Sequence, residues 1–121
     1  MALSDPQSIT INSIAHSLPR IGQDISSGLF RENDGTVTET VRHSQTKNRL
    51  RSNLRFDHHK IVTDPLVTAN NIDVGTSVSI VFDRPLVGYT VAELKQVVDG
   101  VVAYLAASSG AVITKILGNE A

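Results

Sequence analysis

The chain has no cysteine and no tryptophan among its 121 residues, and aromatic residues make up only 4%. Without cysteine, neither a disulfide framework nor a thiolate metal site can form. With so few aromatics, the core must be built mainly from Val, Ile, Leu and Ala. The opening MALSDPQS lacks a charged segment followed by an apolar run, so no secretory leader is expected. The longest uninterrupted apolar run, VVAYLAA (101–107), is far too short to cross a bilayer. A soluble protein of cytosolic character with no membrane partner is therefore expected.

The signatures of catalysis are missing too. There is no phosphate-cradling glycine loop, no G-x-S-x-G elbow and no H-E-x-x-H helix. His58 and His59 are adjacent, and neighbours on a strand point to opposite faces, which disfavours joint chelation of a metal. Asp57 beside His58 imitates part of a triad, but no motif supplies the serine. A small hydrolase using that pair is the catalytic alternative; the expectation is no enzyme, no cofactor and no metal.

What is present fits one globular domain: 40% hydrophobic and 19% charged residues. The net charge of −1 conceals an asymmetry. Residues 41–60 carry six basic side chains (Arg42, Lys47, Arg49, Arg51, Arg55, Lys60) against one acid, Asp57. The rest of the chain carries five basic and eleven acidic groups. Local charge, not the total, therefore speaks to partners.

SITINSIAHSL (8–18) alternates like a short strand ended by Pro19, and RIGQDI and SGLFREN suggest two more. Asn33-Asp34-Gly35 suits a tight hairpin turn. In TVTETVRHS, Val37 and Val41 alternate with Thr38, Thr40 and Arg42, although Glu39 falls on the apolar side. SQTKN (44–48) reads as the next turn, and RLRSNLRFD as the returning strand. If these strands pair, Thr38, Thr40 and Arg42 share one face with Arg49, Arg51, Asn53 and Arg55. Residues 62–75 read as a long loop, and 76–84 as a strand with Ser77 and Ser79 on its polar side.

The period then changes. Thr90 and Glu93 form a capping box ahead of a helix, Ser108-Ser109-Gly110 break it, and AVITKIL (111–117) makes a second helix closed by Gly118. Strands first and helices last predict an α+β fold. Two helices are a thin cover for so many strands, and the apolar second half of the first needs partners of its own. An obligate dimer that exchanges helices across a shared sheet answers both needs.

The basic face is the informative feature. A wetted sheet face is its bland explanation. Against that stand a single sign of charge in an otherwise acidic chain, a preference for Arg, which binds phosphate bidentately, and nearby Thr, Asn and Ser side chains able to contact bases or sugars.

From TVTETVRHSQTKNRLRSNLRFD onward the chain resembles the coat proteins of the small single-stranded RNA bacteriophages, the leviviruses. The resemblance rests on Val37-Thr38-Glu39-Thr40-Val41-Arg42, then Asn48-Arg49, then the basic strand Arg51 to Phe56, with a loop, a strand and two helices in order behind them. It spans about 36–118 well and 1–35 in outline. It implies an N-terminal hairpin with the first strands (1–35), central strands completing a five-stranded antiparallel sheet with its long loop (36–84), and two interlocking dimer helices (90–118). It further implies an icosahedral shell of T=3 type built from dimers in the host cytoplasm and enclosing genomic single-stranded RNA, with a maturation protein, and in many relatives repression of replicase translation through an RNA hairpin. By position the RNA face would comprise Thr38, Thr40, Arg42, Arg49, Arg51, Asn53, Arg55, Ser77 and Ser79. The family's base-stacking Tyr on the last strand has no counterpart here, where the positions are Ser77, Ser79 and Val81. The rival reading is a dimeric RNA-binding protein that forms no shell.

Overall fold

The computed structural model describes residues 3–121 and divides into two compact units, one ending at Arg84 and one running from Pro85. The first unit holds seven strands: β1 (Gln7–Ile11), β2 (Ile14–Leu18), β3 (Arg20–Asp24), β4 (Ser27–Arg31), β5 (Val37–Gln45), β6 (Arg49–Thr63) and β7 (Asn71–Pro85). β1 and β2 pair as a separate hairpin, and the other five form one sheet in the order β3-β4-β5-β6-β7. The hairpin and the five-stranded sheet agree with the resemblance.

Local chemistry corrects three boundaries. The single strand expected over 8–18 is two, because Asn12 and Ser13 adopt positive φ (50° and 64°) and fold Ile14 back onto Ile11. Such a two-residue turn matches the twist of the strands it joins. The loop expected over 62–75 shrinks to 64–70, and the strand expected over 76–84 begins at Asn71. Ile61, Val62, Thr63, Ile72 and Val74 are β-branched and extend both strands, leaving Pro65 and Asn70 in the turn. That turn is closed by the Asp64 amide donating to the Asn70 carbonyl at 2.9 Å. The Asn33-Asp34-Gly35 turn forms as expected, with Gly35 at φ 76° and the Thr36 amide donating to Asp34 at 2.9 Å. That bond holds the Asp34 carboxyl below its ordinary range.

The core lies on one face of the sheet. Leu18, Phe30 and Val37 are fully covered, and Ile9, Ile11 and Phe56 pack around them. The N-terminal hairpin thus roofs β4–β6 on the side opposite the arginines, and each such side chain contributes roughly 1.5–3 kcal/mol on burial.

The second unit holds α1 (Val91–Leu117). Thr90 caps it: the Glu93 amide donates to the Thr90 hydroxyl at 3.2 Å, and that hydroxyl donates to the Glu93 carboxylate rather than the carboxylate reaching the backbone. One helical segment stands where two helices were expected. Within it Ala107 has ψ 143° and Ser108, Ser109 and Gly110 have φ of 54°, 60° and 80°, so the expected break becomes an internal kink. At the far end Gly118 has φ −86°, and the left-handed residue is Asn119 at φ 64°.

No residue of α1 is buried, and Val91, Val97, Val101, Val102, Tyr104 and Ile116 are all more than half exposed. By length and composition alone Val91–Leu117 would pass as long and apolar enough to cross a membrane, its most apolar stretch having a mean hydropathy of 1.6, but the non-helical residues Ala107–Gly110 interrupt it.

Candidate nucleic-acid interface

Antiparallel pairing sets side chains directly opposite one another on the same face. β5 and β6 pair with Thr38 opposite Asp57, Thr40 opposite Arg55, Arg42 opposite Asn53 and Ser44 opposite Arg51. The six predicted residues in these pairs, Thr38, Thr40, Arg42, Arg51, Asn53 and Arg55, therefore stand on one surface. Their odd-numbered neighbours Val37, Glu39 and Val41 stand opposite His58, Phe56 and Leu54 on the core side.

β7 flanks β6. The Asp83 carboxylate accepts from Arg49 Nε at 2.8 Å and lies 3.6 Å from Arg51, while Gly75 underlies the His59 ring. Both ends of β7 thus present odd-numbered positions to the arginine face, and alternation puts Ser77 and Ser79 there as well. All nine sequence-predicted site residues share this face.

Two features of the face were missed. The first is the pairing of its carboxylates with the arginines. Asp83 pairs with Arg49 and Arg51, and Asp57 pairs with Arg55 at 2.9 Å two residues along its own strand. The guanidiniums beside Asp83, Arg49 foremost, hold its carboxyl below the usual range. Asp83 lies outside the basic window of 41–60, so a local charge count does not see it. Among these four arginines of β5 and β6 only Arg42 has no ion pair among the described residues, and the cluster keeps an excess of two positive charges. The second is Arg31. It stands opposite Thr38 and adds a cation from β4, a strand that carries no alternating basic pattern. Asp24 and the His59–Asp73 pair lie at the margins of the same face.

At its centre Thr40, Arg42, Asn53, Arg55 and Asp57 line a shallow depression of about 230 Å³. The Asn53 side-chain oxygen is buried there without a hydrogen-bond partner. Such an acceptor is costly unless a donor reaches it. The surface offers guanidiniums, hydroxyls and an amide, with no Phe, Tyr or Trp ring and no group of metal-ligating side chains among the described residues.

The coat-protein family of phage phiCb5 matches residues 4–85, the whole strand unit from its first described strand onward. The chain belongs to that family. It is a structural phage coat protein, a component of the virion and not an enzyme. Solved structures share the fold across almost all of the chain, α1 included. The virus-like particle of bacteriophage AVE019 superposes with a TM-score of 0.77 at 12% identity over 89% of this chain and 90% of that one. The coat protein of bacteriophage EMS014 gives 0.71 at 17% identity over 90% and 80%, and the capsid protein of bacteriophage GA gives 0.62 at 13% over 95% of both. No curated protein sequence matches. At such identities the common ground is the arrangement of strands and helix alone.

Proposed function

We propose that this coat protein dimerises through α1, assembles into a closed shell, and packages single-stranded RNA against the β5–β6–β7 face. The observation that carries the RNA reading is the cross-strand register, which gathers Arg42, Arg49, Arg51 and Arg55 on the side opposite the hairpin-covered core. Phosphate neutralisation by arginine needs no base-specific contact. With no Phe, Tyr or Trp on this face among the described residues, and His59 only at its margin, general packaging is favoured over capture of one hairpin.

Dimerisation is supported by the exposed apolar surface of α1, an area no isolated soluble chain leaves in water. A bilayer is the less favoured cover. The kink at Ala107–Gly110 leaves sixteen helical residues before it, roughly 24 Å at 1.5 Å per residue, against a hydrocarbon core of about 30 Å. Lys95 and Asp99, paired at 2.8 Å, also lie within that stretch. Two copies that lay these helices across one another's sheets bury the surface without burying charge.

The test is the double variant Arg51→Ala/Arg55→Ala. Purified parent protein should sediment as particles containing host RNA. The variant should keep its dimer and lose most of the RNA. A variant that no longer dimerises would assign these arginines to the fold, and parent particles free of RNA would remove the packaging role.

A further inference from the structure

Glu39 is the one acid on the core side of β5, and only 4% of it is exposed. Its ladder neighbours are Phe30 on β4 and Phe56 on β6, so its carboxyl is flanked on both sides by phenylalanine positions. The hairpin residues Leu18, Ile9 and Ile11 complete the surrounding cluster. Burial raises the Glu39 carboxyl above its ordinary 4.5, with no compensating partner.

The charged and titratable groups near it are accounted for. Just past β4, Glu32 accepts a hydrogen bond from His16 Nδ1 of β2 at 2.7 Å. On β3, Arg20 sits 5.1 Å from the centre of the Phe30 ring and donates to the Leu3 carbonyl and to Gln23. On β6, His58 stands opposite Val37, two positions along the ladder on the same face, and on β5 His43 hydrogen-bonds Ser52. β1 contributes no charge to the cluster. None of these groups forms an ion pair or hydrogen bond with Glu39 among the described residues.

We propose that Glu39 makes the docking of the N-terminal hairpin a proton-controlled latch. With its carboxyl neutral, the Leu18–Phe30–Val37 cluster closes over it. When the proton leaves, a carboxylate is held between Phe30 and Phe56 without a partner, and the cheapest relief is for the hairpin to lift and admit water. The hairpin is its own two-stranded sheet, so it can lift without breaking the five-stranded ladder. The linkage sign follows: between the unfolded and the raised folded value the native state holds more protons, so stability falls as pH rises through that window and is flat above it.

The experiment compares the parent with Glu39→Gln, which keeps the shape and cannot ionise, by thermal melting and amide hydrogen exchange. Near pH 4 the two should melt together; near pH 8 the variant should melt several degrees higher. In the parent, protection of the β1 and β2 amides, corrected for intrinsic exchange, should drop between those pH values while β5 and β6 keep theirs. A melting difference that is the same at both pH values, or parent hairpin protection that does not change, overturns the latch. The exchange measurement needs only the parent, so a poorly folding variant leaves the test intact.

Discussion

Replacing Asp83 with Asn should make RNA binding tighter and more sensitive to salt. Each chain presents four arginines on β5 and β6, and two carboxylates, Asp57 and Asp83, already occupy three of them. A paired guanidinium that turns to a phosphate releases its carboxylate, so the net charge sets the number of counterions displaced. In the proposed dimer that net is about four, and a slope of roughly −0.7 per charge for single strands gives log K against log salt of about −2.8. Between 50 and 200 mM salt the parent should then lose about 50-fold in affinity. With Asp83→Asn the net rises to about six, the slope to about −4.2, and the loss to roughly 300-fold. If instead all eight arginines of the dimer acted free of their carboxylates, the parent itself would lose roughly two thousandfold.

Filter binding or fluorescence anisotropy with a short unstructured RNA, titrated in salt, separates these cases, with circular dichroism to confirm that the sheet persists. Equal slopes for parent and variant would refute the idea that Asp83 competes with phosphate. The pH dependence supplies an internal check. Because Arg49 and Arg51 hold the Asp83 carboxyl below its ordinary 3.8, acid should free the arginines only beneath that value. The same pairing steadies the fold above 3.8 and fades as pH falls through the lowered value.

Phe30→Ala should cost about 3–5 kcal/mol, because a fully covered ring at the centre of the hairpin–sheet cluster leaves a cavity that its neighbours, Leu18 and Val37 among them, close only in part. A loss under about 1 kcal/mol by chemical denaturation would show that the hairpin adds little. Gly75→Ala would bring a methyl to 2.7 Å from His59 Nδ1, but that ring is half exposed and can rotate away. The melting point should therefore move little, while hydrogen exchange at the loop-proximal ends of β6 and β7 should quicken as the His59–Asp73 approach at 4.0 Å is lost. Global unfolding of this variant would mean the ring is fixed.

The arginine face was legible because strand alternation has a period of two: once Val37, Val41, Leu54 and Phe56 are assigned to the core side, the faces of Thr40, Arg42, Asn53 and Arg55 follow. The pairing of Asp83 was not, since it reaches Arg49 across 34 positions and no local window spans that distance. The hairpin turn at Asn12-Ser13 escaped for the opposite reason: neither residue is glycine, and their left-handed conformation is chosen by the pairing of Ile9 and Ile11 with residues beyond. Glu39 carries the same lesson further. As a defect in an apolar alternation it argues against the strand; seated between Phe30 and Phe56 it is a carboxyl whose charged form burial disfavours. A pattern violation that survives in a well-paired strand marks a position whose energy depends on conditions: pH for Glu39 under the hairpin, as salt is for the arginines on the opposite face.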